Sequence, residues 1–287
     1  MSGTISGLRW GSFAFMVLLA GCSSGIADGA LPGPGTSEPD AGPATTVDAG
    51  SGPDADPGPT QLTVMTMNIG TTDGLDHDSG NDGYTGDHAR ITDEHYHNSL
   101  SWNPAEQALT EFLATVRPTI VVFQEGFYDP WCEEIPVDPE LDFVCKGYTP
   151  ARALQVERLL GPDYQVACAD GQEDNCAGVL RSFATMKGCP TDAPCLGGLE
   201  GSGPPDGCSN GARVGRVELE LHDGREMTLV NVHGTSGIKL EDMLCRRSQF
   251  EQIFDDRGDG QPAANGPVNL VMGDLNTDPF KADFEPS

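Results

Sequence analysis

Four short apolar runs in this 287-residue chain each end directly in polar side chains that a packed strand would not choose. The polar ends are Asn68, Gln124-Glu125, Asn231 with His233, and Asp274 with Asn276. In an α/β sheet, the loops that follow strand ends are free to converge and commonly line the functional site. The chain is therefore expected to be an α/β domain whose strand ends meet around a polar site.

Hydrophobic patterning divides the rest of the chain into further strands and helices. Strands are predicted, in chain order, over 61–69, 119–124, 164–168, 178–183, 213–221, 226–232 and 268–272. Helices are predicted over 104–116, 151–160 and 240–254. Between them we expect a polar stretch over 71–103, an insertion over 126–149 and a loop over 187–211. Strands that alternate with helices, with a hairpin around His222-Asp223-Gly224, indicate an α/β domain with mixed sheets.

Residues 1–22 resemble a bacterial export signal. Arg9 gives a weakly positive start, and the apolar run over 13–19 is too short for a permanent membrane helix. The sequence Leu-Ala-Gly-Cys that ends at Cys22 resembles a lipobox, which implies that Cys22 is lipidated and becomes the N-terminus. We expect an exported lipoprotein, periplasmic or at the cell surface, and Ser23 favours anchoring in the outer membrane. An ordinary secretory signal with a fortuitous cysteine is the alternative.

Residues 23–60 are rich in Gly, Pro, Ala, Asp, Ser and Thr and contain no aromatic residue, lysine or arginine. Such a segment cannot bury enough apolar area to offset its chain entropy, so we expect a disordered linker before a domain over 61–287. The whole chain has a formal net charge of −28. This charge argues against a groove that holds nucleic acid by neutralising phosphates alone, but it is compatible with an enzyme that meets phosphate through a divalent cation.

Apart from Cys22, the chain has an even number of cysteines, namely Cys132, Cys145, Cys168, Cys176, Cys189, Cys195, Cys208 and Cys245. No Cys-x-x-Cys pair occurs, which disfavours zinc ribbons and thioredoxin-like redox motifs. In an exported protein, this count predicts up to four disulfides. The spacing suggests local loops such as Cys132–Cys145 and Cys168–Cys176, although the sequence does not fix the pairing. Buried free thiols are the alternative.

The polar strand ends supply side chains suited to the hydrolysis of a phosphate ester. Asn, Glu and Asp provide hard oxygen ligands, and His provides a group that titrates near neutral pH. This set suits a Mg²⁺ or Ca²⁺ centre that acts on a phosphate ester. The sequence contains no Walker loop and no His-Glu-x-x-His helix, which excludes nucleotide-driven motors and zincins. Gly-x-Ser-x-Gly occurs over 21–25 and 207–211, but neither match stands between a predicted strand and a predicted helix, so the nucleophile elbow of serine hydrolases is not indicated.

The same strand ends carry motifs that resemble those of a known family. Thr66–Gly70, Phe123–Glu125, Asn231–His233 and Gly273–Asn276 are similar, in this order, to the first-strand, Gln-Glu, Asn-x-His and Gly-Asp-x-Asn motifs of the endonuclease/exonuclease/phosphatase superfamily. That superfamily includes pancreatic-type deoxyribonucleases, sphingomyelinases and inositol-phosphate phosphatases. The resemblance covers the chain from about Leu62 onward. It implies a four-layer α/β sandwich of two packed mixed β-sheets flanked by helices.

The resemblance also implies a role for each site residue. Glu125 is expected to bind the catalytic divalent metal, Mg²⁺ or alternatively Ca²⁺ or Mn²⁺, with Asn68 beside it. His233 is expected to be a general acid or a hydrogen-bond donor near the leaving oxygen. Asp274 is expected to orient or deprotonate the attacking water, or to polarise a catalytic imidazole. Asn276 is expected to donate a hydrogen bond to a non-bridging phosphate oxygen.

One part of the family pattern is missing from the sequence. The superfamily closes with a Ser-Asp-His-type motif, and no Asp-His follows Asn276 within the 287 residues. We therefore expect a C-terminal truncation, with little or no turnover by this chain alone. The leading hypothesis is an envelope-anchored, monomeric, metal-dependent phosphodiesterase or phosphatase that acts on DNA, a phospholipid or a phosphorylated metabolite. The alternative is an inactive cell-surface binding module that keeps the fold.

Two further groups of charged residues are open to more than one interpretation. Asp and His crowd the segment over 73–97, which is interpreted as a solvated loop near the mouth of the site, with a second metal site as the alternative. Arg213 and Arg216 lie on an alternating strand. There they either present a cation to phosphate or are ordinary surface charges.

Overall fold

The structure, a computed structural model, describes residues 18–20, 62–70, 83–205, 208 and 213–277, and of 18–20 it describes the backbone. Cys22 with its expected lipidation lies outside the described residues, as does the expected linker over 23–60. The same holds for residues 71–82, at the start of the Asp/His-rich segment.

The described residues form strands and helices that alternate along the chain. The strands are β1 (Leu18–Ala20), β2 (Val64–Asn68), β3 (Ile120–Gln124), β4 (Tyr164–Ala169), β5 (Gln172–Leu180), β6 (Ala184–Met186), β7 (Cys195–Gly201), β8 (Val214–Leu221), β9 (Glu226–His233) and β10 (Asn269–Asp274). The helices are α1 (Gly86–His95), α2 (Asn103–Val116), α3 (Gln155–Leu160) and α4 (Leu240–Phe254). Two 3-10 helices cover Asp129–Glu133 and Val144–Gly147.

The strands pair in the order β1-β10-β9-β8-β7-β4-β5-β3-β2, and β6 pairs with β8. The pairs β2 with β3, β4 with β7 and β9 with β10 are parallel. The remaining pairs are antiparallel, so the sheet is mixed. Strand β7 pairs with β4 on one side and with β8 on the other, and it thereby joins two halves. We call β2, β3, β4 and β5 the N-terminal half and β8, β9 and β10 the C-terminal half.

The two halves pack face to face over a shared apolar core. The N-terminal half contributes residues that include Ile120, Val122 and Ala177, and the C-terminal half contributes residues that include Leu219, Leu229 and Met272. Because successive strand residues point to opposite faces, Val121 and Phe123 of β3 face outward, into a cluster with residues of α2 and α3. Val230 of β9 likewise packs with Ile253 of α4. This helix–sheet–sheet–helix arrangement confirms the predicted four-layer α/β sandwich.

Helix α2 shows why the predicted helices form. Pro104 lies in its first turn, where a missing N–H breaks no helical hydrogen bond. Leu109 and Leu113, one helical turn apart, are buried against the sheet. The helix ends where Arg117 adopts the left-handed conformation, with φ of 46°. Helix α4 has the predicted bounds.

Two elements begin at residues that differ from the predictions. Helix α3 begins at Gln155, later than the predicted residue 151, because the Glu157 carboxylate accepts the Leu154 N–H at 2.9 Å and caps the helix there. Strand β5 begins at Gln172, earlier than the predicted residue 178, because its polar first residues pair with β4.

Two further elements lie where no regular structure was predicted. Helix α1 lies within the Asp/His-rich segment, so the loop interpretation is wrong for residues 86–95. Its sequence is polar, and it begins where the Thr85 hydroxyl caps the His88 N–H. Strand β7 lies in the predicted loop over 187–211. It is rich in glycine, and its pairing with β4 and β8 holds it in place.

Four disulfides join cysteines of the described residues, namely Cys132–Cys145, Cys168–Cys176, Cys189–Cys195 and Cys208–Cys245. The first two are the pairings that the spacing suggested, and the free-thiol alternative is wrong. Several disulfides in one domain are typical of proteins that fold in an oxidising compartment. In the part of the chain that the structure describes, none of the helices is both long and apolar enough to cross a membrane.

Candidate functional site

The C-terminal ends of β2, β3, β9 and β10 meet at one edge of the packed sheet halves. Parallel pairing places Asn68 beside Gln124, and His233 beside Asp274. The Asn68 Nδ2 group donates a hydrogen bond of 3.0 Å to Asp274 Oδ2, which joins the two pairs across the sandwich. The strand ends singled out in the sequence therefore come together in one place.

A buried hydrogen-bond network close to this edge ties the two halves to each other. Gln124 Nε2 donates to Asn231 Oδ1 at 2.6 Å. Asn231 Nδ2 in turn donates to the carbonyls of Phe123 and Cys176, at 3.1 and 3.3 Å. Buried amides are tolerated when they are paired in this way. Gln124 and Asn231 therefore align the sheet halves, while the next residue, Glu125, is more exposed than Gln124.

Glu125 follows β3 directly and has a left-handed backbone, with φ of 59°. Its carbonyl accepts the Leu100 N–H at 3.1 Å, which helps to hold this conformation. Its carboxylate lies against Gly70, because a Cβ added to that glycine would stand 1.9 Å from Glu125 Oε2. The other carboxylate oxygen, Oε1, is 3.4 Å from His233 Nε2. The side chain is 25% exposed, so solvent reaches part of it.

Asn68, Asp274 and Asn276 are fixed by hydrogen bonds to one another and to nearby backbone. Asn68 Oδ1 accepts the Gly70 N–H at 3.0 Å, so the orientation of its amide is set by both ends. Asp274 Oδ1 accepts the Asn276 N–H at 2.9 Å. Asn276 Nδ2 donates to the Gly234 carbonyl at 2.7 Å, next to His233. The amide of Asn276 is thus anchored beside His233.

His233 is 4% exposed and lies between a cation and a carboxylate. Arg213 Nη1 is 2.8 Å from the ring nitrogen Nδ1 of His233. The backbone N–H of His233 donates to the backbone carbonyl of Arg213 at 2.7 Å. Arg216 instead pairs with Glu200 at 3.2 Å, on β7. Of the two arginines singled out in the sequence, Arg213 is therefore the one that contacts a site residue.

Sequence reasoning missed one carboxylate close to this site, Asp174 on β5. Its carbonyl accepts the Gly126 N–H at 2.9 Å, which places it next to the segment that carries Glu125. Burial raises the pKa of the Asp174 carboxyl, and the charge of Glu125 acts in the same direction. His233 and Arg213 act to lower this pKa, but the net shift is upward. The available signal is the polar run over 172–175, directly before a buried stretch, for which no strand is predicted.

This edge of the sheet halves offers a small set of oxygen donors to a divalent metal. Among the described residues, no three His, Cys, Asp or Glu side chains are grouped as a metal site. Glu125 nevertheless offers carboxylate oxygens, which lie against Gly70. Asn68 offers an amide oxygen, which accepts the N–H of the same glycine. Mg²⁺ commonly takes one or two carboxylates and draws its other ligands from water and substrate phosphates. The residues therefore fit Mg²⁺ that is held jointly by protein and substrate.

No protein-family model matches the sequence, and a search of curated proteins finds no significant match. Among solved structures, a humanized TDP2 from D. rerio is 12% identical, with a TM-score of 0.41 over 77% of this chain and 69% of that one. A truncated TDP2 from Caenorhabditis elegans is 18% identical, with a TM-score of 0.35 over 63% of this chain and 59% of that one. ANGEL2, described as a 2',3'-cyclic phosphatase, is 12% identical, with a TM-score of 0.41 over 76% of this chain and 53% of that one. The chain thus spans less than two thirds of the length of the last two structures.

Proposed function

We propose that this chain is a divalent-metal-dependent phosphoester hydrolase, a phosphodiesterase or phosphatase. The observation that carries the proposal is the joining of Asn68 to Asp274 across the sheet halves, with Glu125 and His233 in contact at the same edge. These residues combine oxygen ligands, a carboxylate and an imidazole, which together suit attack of water on a phosphate ester.

Each residue of this chain has a part that follows from its contacts. Glu125 and Asn68 would hold Mg²⁺, which when bound supplies a positive charge that polarises a phosphoryl oxygen. Asp274 remains able to accept a proton or a hydrogen bond from water, since its present partners are N–H donors from Asn68 and Asn276. His233 directs Nε2 toward the carboxylate of Glu125. From this position Nε2 would contact the leaving oxygen of the substrate.

The expected setting of the reaction is the bacterial envelope. The four disulfides agree with folding after export, and lipidation at Cys22 would anchor a monomer to the outer membrane. The net charge of −28 favours a phospholipid headgroup or a small phosphate ester over long duplex DNA, because contacts to DNA phosphates come chiefly from Lys and Arg.

The deciding experiment measures hydrolysis of DNA, sphingomyelin and bis-p-nitrophenyl phosphate side by side by the protein expressed from its complete reading frame, with Mg²⁺, Ca²⁺ or Mn²⁺ and with chelator. We expect metal-dependent release from at least one substrate, and loss of that activity in Glu125→Gln. Glu140→Gln, which changes an exposed carboxylate away from the site, is the matched control and should keep the activity. Hydrolysis that survives in Glu125→Gln would refute the metal assignment. Binding of a substrate without turnover under any of the metals would favour a surface binding module.

A further inference from the structure

Strand pairing places Arg213 and His233 opposite each other. Val214 of β8 pairs with Val232 of β9, so the residue before one strand faces the last residue of the other. The backbone hydrogen bond between His233 and Arg213, 2.7 Å long, continues this ladder. The side-chain contact between Nη1 and Nδ1, at 2.8 Å, follows from that register and not from a flexible surface encounter.

The chemistry of this contact fixes where the imidazole carries its proton. A guanidinium has five N–H donors and no acceptor, and it stays charged in proteins. The partner nitrogen, Nδ1 of His233, must therefore be the acceptor and carries no hydrogen. Rotating the ring by half a turn would place a carbon beside Arg213 and remove the hydrogen bond, so the observed orientation is the one that satisfies both groups.

We propose that Arg213 is a positioning residue that holds His233 with its proton on Nε2, directed toward Glu125 and the place where substrate would bind. A carboxylate or carbonyl partner at Nδ1, the usual arrangement for a catalytic imidazole, would impose the opposite form, with the proton on Nδ1 and a bare Nε2. Asp174, the carboxylate whose charge reaches His233, hydrogen-bonds through Oδ1 to the Asn175 amide at 3.0 Å. The contact at Nδ1 itself is made by Arg213.

The consequence for the reaction rests on the function proposed above. An Nε2–H held in this way donates a hydrogen bond to a phosphate or leaving oxygen, and it cannot serve as a base at that atom. Giving the proton away would leave an imidazolate anion, so the residue stabilises charge by donation and does not act as a general acid. Of the two roles expected for His233, this geometry selects the hydrogen-bond donor.

The test reads the proton directly by ¹⁵N NMR of the full chain labelled at its histidines, with His233 assigned from a His233→Asn spectrum. Spectra are recorded at increasing alkaline pH until the shifts no longer change, so that the neutral ring is observed. We expect a pyrrole-type shift at Nε2 and a pyridine-type shift at Nδ1. The reverse assignment in the unsubstituted protein would overturn the proposal without requiring any variant to fold.

Variants then show whether Arg213 is the cause. Arg213→Met should give a mixture of the two neutral forms, and Arg213→Lys, which also donates and cannot accept, should restore the Nε2–H form. Arg216→Met, a change of the neighbouring arginine, should leave the His233 signals unchanged. Signals that stay pure Nε2–H in Arg213→Met would contradict the role of Arg213. Because these spectra need no substrate, their outcome is separate from that of the hydrolysis assays.

Discussion

Asn68 and Asp274 are separated by 206 positions in the chain and share a hydrogen bond of 3.0 Å between the two sheet halves. A hydrogen bond tolerates only a small change in length, so a displacement of one half against the other would break it and free both side chains. The bond therefore couples the position of Asn68, an expected metal ligand, to that of Asp274, which is expected to orient or deprotonate the attacking water.

Asn68→Ala tests this link. Loss of the amide removes one expected oxygen ligand and leaves Asp274 without its partner across the halves, so activity should fall by about 10- to 100-fold or more. Hydrolysis of the best substrate in a side-by-side screen is the measurement. Asn269→Ala, at the opposite end of β10 where the amide contacts Gly266, should affect stability and spare turnover. Equal losses of activity in both variants would contradict a specific role for Asn68.

Gly70→Ala tests the close approach of the Glu125 carboxylate. An added Cβ would lie 1.9 Å from Glu125 Oε2 and 2.5 Å from the Asn98 carbonyl, so both contacts must give way. The expected result is a metal affinity about 10- to 100-fold weaker, measured by titration with Mn²⁺ and detection by electron paramagnetic resonance. Gly203→Ala has open space around the new methyl group and should bind Mn²⁺ as the unsubstituted protein does. Unchanged affinity in Gly70→Ala would place the metal elsewhere.

The ion pair between Glu106 and Arg158 predicts how stability depends on pH. Burial acts to raise the pKa of Glu106. The hydrogen bonds and charge of Arg158, at 2.7 Å, together with a hydrogen bond from Gln155 and the charge of Arg152, outweigh this effect and lower the pKa below 4.5. The folded pKa is below the unfolded one, so the stabilisation is present above about pH 4.5 and is lost as the pH falls through the lowered pKa. The free energy of unfolding in urea, measured from pH 7 to pH 3, should decline over this range.

Glu106→Gln gives the corresponding loss at neutral pH. Arg158 would keep Asp129 as a partner and lose its pairing with Glu106, which should cost about 3 kcal/mol in a mostly buried site. Glu111→Gln, on the same helix and exposed, is the control and should cost little. The same slope of stability against pH in Glu106→Gln and the unsubstituted protein would show that Glu106 is not the titrating group.

The disulfides differ in the length of chain that each one closes, and this predicts a difference in their effect on stability. Cys208–Cys245 closes 37 positions and Cys189–Cys195 closes 6. On the basis of loop-closure entropy, replacing the first pair by alanine should cost about 4 kcal/mol and replacing the second about 2 kcal/mol. Urea unfolding of the two double variants measures both values. A larger loss from the shorter loop would show that native packing, and not chain entropy, determines the effect.

The sequence predicted that these strand ends converge because each one is marked by a sharp change from apolar to polar residues. Asn68, Glu125, His233 and Asp274 stand at such changes, and the structure brings them together at one edge. Helix α4 was predicted with its observed bounds because its residues favour helix throughout. These features depend on local chemistry, which a single sequence carries.

The parts that the sequence did not predict depend on distant partners. Helix α1 and strand β7 have sequences too polar or too rich in glycine to indicate their structure, and neighbouring elements hold them. Asp174 was overlooked because β5 begins earlier than its apolar residues suggest. The contact of Arg213 with His233 depends on the register of β8 against β9, which no local pattern specifies.

The buried amide pair of Gln124 and Asn231 spans 107 positions and joins the same two halves as the Asn68–Asp274 hydrogen bond. Contacts between such distant segments form late, because the chain must first lose the entropy of closing a long loop. We therefore expect the site to form only when the two halves have docked. Appearance of activity during refolding would report the final docking event, and it should lag behind the recovery of helical signal.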